Sequence, residues 1–293
     1  MPDLLRIVHR TEYRYDRVVQ FGPHRLMLRP RDAHDLWVED ASLSIYPPAQ
    51  LRWKFDPFGN SVASASFTDP ADRLSVTSTL LLRRYSTENR RGGLGSSTAP
   101  FPFEYSADEK VDLRPFRRMH DPEDETIISG WIDRVFPGRP ATALAFLSDL
   151  ATAIHGAISY SRRDEMGTQT AAETIRTGRG TCRDFAFLFM ETARSFGFAA
   201  RFVTGYLHDA RAESRGMVGG GATHAWADVY VPDEGWIEFD PTNRIVGGAP
   251  LIRVATTRTP RQASPISGSF VGRGAALRGL DVVVDVTSEH VRD

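Results

Sequence analysis

The sequence predicts an α+β chain: an N-terminal β-sandwich-like domain, then a core in which one apolar helix packs on an antiparallel sheet. Three observations carry this. Residues 1–85 hold short runs of β-branched, aromatic and long apolar residues separated by Pro-, Gly- and Asp-rich turns. Residues 141–197 switch to helical periodicity. Residues 199–240 return to strand patterning in three runs, the last two joined by a tight turn.

In the first domain, 4-LLRIVHRTEYRY-15 and 24-HRLMLRP-30 read as strands, the second ended by Pro30. Further strands are expected at 41–46, 50–55, 61–67 and 74–83. Pro47-Pro48, 56-DPFGN-60 and 69-DPADR-73 mark the turns between them. Short strands at this spacing must close their own apolar face, as a sandwich or barrel. His9, His24 and His34 are scattered without ligand spacing and are expected to be structural or surface histidines.

Residues 86–140 form a linker or the start of the core. The run 89–105 is a loop by composition, and 106–120 is of mixed polarity. A short helix is expected over 121–135, with Asp121 as its cap and Pro122 in its first position. The core domain is placed at 141–293. Its clearest helix is 141–160, where Leu144, Leu147, Leu150, Ala151, Ile154 and Ile158 share one stripe. His155 lies beside that stripe and is expected to bond locally. Thr170 caps a helix near 171–176.

The segment 178-GRGTCRDF-185 centres on the only cysteine, Cys182. A helix is expected over 181–197, its stripe formed by Phe185, Leu188, Phe189, Thr192 and Phe196. Thr181 and Asp184 have capping-box spacing, and Gly197 is the stop. Strands follow at 199–207, 223–231 and 236–240, then at 251–256 and 281–287. The stretch 259–275 is irregular. Alternation puts His224, Trp226, Asp228 and Tyr230 on one face of their strand and Ala225, Ala227 and Val229 on the other.

Composition excludes several classes. A formal net charge of -1 offers no bulk attraction to nucleic acid or to an acidic membrane. No basic-then-apolar leader and no apolar run of about 20 residues is present, so neither secretion nor membrane insertion is expected. A single cysteine allows no internal disulfide, multi-cysteine zinc cluster or thioredoxin-like pair, and fits a reducing, cytoplasmic setting. No cofactor and no metal is expected, because no short-range ligand pair accompanies Cys182, His224 or Asp240.

Those three residues are the candidate chemistry. A lone cysteine is usually a buried small hydrophobe. Flanking glycines, a capped helix start and helix dipoles that favour an anion make the reactive reading competitive. A cysteine nucleophile needs a base to form a thiolate–imidazolium pair, and the base needs a third group to orient it. His224 and Asp240 sit at element boundaries where they can serve. If the turn at 232–235 pairs strands 223–231 and 236–240 so that positions sum to about 467, His224 faces residue 243 and Asp240 lies a few residues out of register.

The ordered motifs GRGTCRDFA, ARFVTGY and THAWADVYVPDEGWIEFDPTN resemble the transglutaminase-like (papain-like) cysteine enzyme superfamily, in its bacterial subtype with an N-terminal β accessory domain. The resemblance implies a papain-like transglutaminase core, with Cys182 as nucleophile, His224 as base and Asp240 as orienting acid. Arg201, Gly205, Tyr206, Trp226 and Trp236 match the scaffold around the site. The segments 28–31 (Leu-x-Pro-Arg) and 56–60 (Asp-x-Phe-Gly-Asn) resemble the accessory domain. Near the C-terminus, 257-TRTPRQASP-265 keeps Arg258 and Pro265 but has Thr259 and Gln262 where the subtype has acids, which leaves that loop as a substrate contact or a domain lock.

The implied chemistry is thiol-dependent amide-bond hydrolysis through a thioacyl intermediate, as in a cysteine peptidase or amidase. A transglutaminase or other amine acyltransferase, arylamine acetyltransferases included, is the alternative. An inactive papain-like binding or scaffold protein is the second. The oxyanion donors would be the Cys182 backbone N–H and one of Tyr160, Gln169 or Trp226. Arg183 either raises the local potential or solvates the surface. The loop 209–222 either gates the cleft or is a plain surface loop. The expected partner is a peptide, protein or small amide substrate, with homo-oligomer formation through the N-terminal domain a further candidate.

Overall fold

The computed structural model describes residues 3–85, 99–138, 140–161, 167–208, 221–248 and 250–290. Six strands open the chain: β1 (Asp3–Phe21), β2 (His24–Arg29), β3 (Leu36–Tyr46), β4 (Ala49–Phe55), β5 (Ser61–Phe67) and β6 (Ala71–Arg84). Apolar residues at a period of two decide their pairing. Leu5 and Ile7 of β1 lie opposite Leu82 and Leu80 of β6, and all four are buried. One sheet has β1 between β6 and a late strand, with β3 on the outside of β6; the other includes β2, β5 and β4 in that order. Phe21, Leu26, Leu28, Ala63, Ala65, Leu74 and Val76 fill the space between them.

Residues 106–120, of mixed polarity, form two short helices. α1 (Ala107–Asp112) is capped by Ser106 in a box with Glu109, and α2 (Arg114–Arg117) follows. The helix expected over 121–135 is a 3-10 turn at Pro122–Asp124 followed by α3 (Glu125–Val135). Asp121 makes no side-chain cap bond there. The carboxylate of Asp124 instead accepts the Ala172 N–H at 2.9 Å, which ties α3 to a later helix.

The core continues with α4 (Ala143–Ala157), β7 (Ser159–Tyr160), α5 (Ala171–Thr177), β8 (Arg179–Gly180) and α6 (Cys182–Ser195). Its sheet is antiparallel, in the order β12 (Ile245–Val246), β11 (Gly235–Asp240), β10 (His224–Val231), β9 (Ala199–Leu207) and β13 (Leu251–Thr257). Ala225, Ala227 and Val229 of β10 meet Phe185, Leu188 and Phe189 of α6 in one apolar core. Small residues on the strand let the aromatic helix face come close. Buried within that packing is an ion pair, Glu191 to Arg194 at 2.8 Å. Glu191 also accepts the His120 N–H, and Arg194 donates to the carbonyls of Phe116, Ala200 and Arg258. Such a pair persists in a dry interior because its remaining hydrogen-bonding groups are satisfied.

The chain after residue 265, expected to belong with the core, completes the first domain instead. β14 (Ile266–Ser267) pairs with β2, β15 (Phe270–Val271) pairs with the end of β1, and β16 (Leu277–His290) runs along the free edge of β1 from Asp3↔His290 to Tyr15↔Leu277. A Val-rich strand pattern states that a strand forms but not which sheet it joins; the long open edge of β1 supplies the partner.

Two further contacts join the domains. Leu5, Ile7, Leu80 and Leu82 pack on Tyr206, Ile252 and Val254. The 56–60 turn is held by Asp56, whose carboxylate accepts the N–H groups of Phe58 and Asn60. Asn60 then pairs with Thr256 of β13 as a backbone would, accepting its N–H at 2.9 Å and donating to its carbonyl at 2.7 Å. Asn60→Ala leaves both buried backbone groups unpaired and should cost about 2 kcal/mol. Urea denaturation of the full chain measures this; an unchanged midpoint would show that the clasp contributes nothing.

Candidate active site

Cys182 is the first residue of α6. Asp184, fully buried, accepts the Thr181 N–H at 2.7 Å, the Thr181 hydroxyl at 2.9 Å and the Gln169 N–H at 2.7 Å. The reach-back half of the capping box is therefore carried by the acid, which also draws residue 169 against the helix start. Gly180 must be small here, since a Cβ would lie 2.7 Å from that of Asp184. The parallel pairing of β7 with β8 sets Tyr160 beside Gly180. Cys182 thus stands at a braced helix N-terminus with 8% of its surface exposed.

The β10–β11 register differs by one residue from the expected one. Val231 faces Gly235 and Ala227 faces Phe239, so positions sum to 466. Opposed residues in an antiparallel pair project to the same side. The even sum therefore brings Asp240 to the same side as Trp226 and His224, where an odd sum would have sent it to the helix side. His224 Nε2–H donates to Asp240 Oδ2 at 2.8 Å, with both side chains out of solvent.

Asp240 is held by three further bonds. Asn243 Nδ2 donates to Oδ2 at 2.8 Å, while the N–H groups of Thr242 and Asn243 donate to Oδ1 at 2.9 and 3.4 Å. His155 Nδ1–H donates to the Thr242 carbonyl at 3.0 Å and so pins this turn to α4. Burial pushes the Asp240 carboxyl up, but His224 and these bonds outweigh it and hold the acid below its usual range. Burial likewise pushes His224 down. The Asp240 charge and hydrogen bond, with smaller contributions from Cys182, overcome this and raise it to about 10. His224 Nδ1 is buried and has no partner in hydrogen-bond geometry among the described residues. The thiol is near enough to act on the ring but is not in a formed hydrogen bond, a common state of a thiol–imidazole pair without substrate.

The other candidates fall around this pair. Trp226 is fully buried and stacks on the His224 ring, with centroids 6.2 Å apart, so it is a wall behind that imidazole. Gln169 accepts a bond from Thr174 through its side-chain oxygen at 3.2 Å. Tyr160 is 39% exposed, beside Gly180. Arg183 turns away from the surface: it donates to Thr168 and to the Pro260 carbonyl and lies over the Phe202 ring. Burial pushes its pKa down. Arg201 pairs with Asp228 and stacks on Trp236, and Gly205 lies opposite His224 where a Cβ would strike the Ile252 carbonyl.

His9 is buried between Tyr206 and Thr11, and burial lowers its pKa to about 4. His24 bonds to the Gly22 carbonyl, and His34 is exposed. The loop 257–265 makes backbone bonds to Arg194, Arg183 and Met27, which favours the domain lock over a substrate contact. Most of the loop 209–222 lies outside the described residues. Sequence reasoning missed Asn243 and the His155 bond. Asn243 had a signal, in the turn-forming Pro-Thr-Asn after the acid; a bond from His155 to a backbone carbonyl 87 residues away had none.

Residues 5–83 match the bacterial transglutaminase-like N-terminal region, and residues 135–241 match the transglutaminase-like superfamily. The chain thus carries a transglutaminase-like core behind a bacterial transglutaminase-like N-terminal region. An uncharacterised Mycobacterium tuberculosis protein is 29% identical over 302 residues, covering 96% of this chain and 91% of its own. A Mycobacterium leprae relative is 26% identical over 288 residues, covering 97% and 98%. The crystal structure of a cysteine-protease candidate from Cytophaga hutchinsonii shares the fold, with a TM-score of 0.74 over 100% of this chain and 93% of that one, at 19% identity.

The raised His224 pKa has a signed consequence. Its contribution to stability is complete below the ordinary value of 6.5 and is lost as pH rises to about 10. Asp240→Asn removes the charge responsible, so the alkaline loss of stability should flatten relative to wild type. Urea midpoints for both proteins across this interval check it; parallel pH profiles would contradict the assignment.

Proposed function

We propose that the protein hydrolyses amide bonds by a Cys182–His224–Asp240 triad through a thioacyl intermediate. The observation that carries this reading is the buried Asp240–His224 bond, with the Cys182 thiol close enough to act on the same ring. An imidazole kept protonated at neutral pH is the counter-ion a thiolate needs.

In this mechanism the Cys182 sulfur attacks the carbonyl carbon, and the oxyanion forms beside the first amides of α6, whose N–H groups have no intrahelical acceptor. His224 gives its Nδ1 proton to the leaving amine. It then takes a proton from the water that cleaves the thioester, returning the site to its starting state. Asp240 keeps the Nε2 proton in place throughout. Tyr160, the exposed candidate beside the helix start, is the side-chain oxyanion donor in this scheme.

The match to a superfamily named for transglutaminases favours one second reading, in which an amine replaces water as acyl acceptor. Cys182→Ser and His224→Ala should each lower turnover of a fluorogenic peptide amide by about 10³-fold or more while leaving the circular dichroism unchanged. Undiminished turnover in either variant would remove the triad reading. Mass spectrometry of products formed with excess cadaverine separates the two acceptors: free acid supports hydrolysis, and a predominant cadaverine adduct supports transamidation.

A further inference from the structure

The first domain is open along one side. There β3 and β4 stand as the outer strands of their sheets, and among the described residues neither has a strand on its second edge beyond the single Ala33–Leu36 bridge. Between them lies a groove of about 420 Å³, lined by Arg29, Arg31, Asp32, Val38, Trp53 and Phe55 among others. That volume is within the range of ligand-binding clefts.

The row Leu51, Trp53 and Phe55 lies opposite Ala65, Ala63 and Ser61 of β5. Ala63 and Ala65 are core residues, so this is the inward face of β4. Yet these three side chains are 38%, 47% and 69% exposed, because the facing sheet does not reach over them. A small gap lies deeper in, around Trp53, Ala41 and Leu43. An inward apolar row left open is unlike scattered surface hydrophobics.

The β4 side of the groove is cationic. Arg52 and Lys54 project from the other face of β4, and Arg29 has no ion pair among the described residues. Arg31 is fixed, donating to the Gly59 carbonyl at 2.9 Å with its guanidinium 4.9 Å from the centre of the Phe55 ring. Asp32, the acid of the lining, is engaged by the Val38 N–H at 2.7 Å.

We propose that this groove binds an extended peptide in which acidic residues alternate with apolar ones. Apolar side chains two residues apart in the peptide match the spacing of Leu51, Trp53 and Phe55, at about 6.8 Å per step. The intervening acids fall on the peptide's outer face beside Arg52 and Lys54, the peptide backbone lies along the open edge of β4, and Arg29, on the inward side level with Phe55, adds positive charge inside the groove. Binding here is independent of turnover at Cys182.

The probe is a fluorescein-labelled Glu-Leu-Glu-Phe-Glu-Leu-Glu peptide, titrated by anisotropy with the full chain. Saturable one-to-one binding is expected, weakened by salt. The same peptide with Lys for Glu should bind at least about tenfold more weakly, as should Trp53→Ala and Arg29→Glu with the Glu peptide. Cys182→Ser should bind as wild type does. Arg29 is exposed, so its variant keeps the test sound if Trp53→Ala fails to fold. Absence of saturable binding, equal affinity for the Lys peptide, or wild-type affinity in folded Arg29→Glu would overturn the proposal. So would sedimentation showing a wild-type dimer that Arg29→Glu dissociates, which would assign the groove to a second copy of the chain.

Discussion

Asp240 is a carboxylate placed where no water reaches, and much of the core is arranged around making that tolerable. An ionised acid in a dry interior is costly unless its lone pairs are filled. Here four donors fill them: the His224 ring, the Asn243 amide and the two backbone N–H groups of the following turn. The turn must therefore be tight, and His155 reaches across from α4 to hold it. The same carboxylate keeps His224 charged against a burial that would neutralise it.

The thiol is positioned by a different set of constraints. At its N-terminal end α6 is braced by Asp184, which gathers Thr181 and Gln169. Further along, the buried Glu191–Arg194 pair connects the helix to residues 116–121, to β9 and to the loop at 258. Both anchors consist of charged groups whose bonds are directional, so sliding or rotation of α6 would leave buried groups unpaired. Cys182 and His224 come from separate elements and meet because each element is fixed independently.

The two domains share more than a linker. Asn60 completes the hydrogen bonding of β13, and the last strand returns to pair with the first. The chain passes from sandwich to core and back, so the strand after the core closes the edge of the sandwich. The motif at 56–60 reads as a simple turn in isolation. Its asparagine proves to be the contact between domains, because the Asp56 carboxylate holds the turn in the one shape that presents it.

Sequence by itself determined what is local. The period of two in β1 to β6, the amphipathic stripes of α4 and α6, and the Gly197 stop follow from side-chain periodicity and backbone preference, as do the alternating faces of β10. The residue types at 182, 224 and 240, read with their motifs, pointed to one site. Tertiary structure decided what depends on pairing between distant segments. The register of β10 on β11 was one such matter: a turn can be closed in two ways that differ by one residue, and only one puts His224 and Asp240 on a common side. The partner of β16 was another, since a strand's pattern carries its burial but not its neighbour. So were the roles of Asn243, His155 and Arg183, whose side chains act through carbonyls and carboxylates that sequence spacing does not bring together.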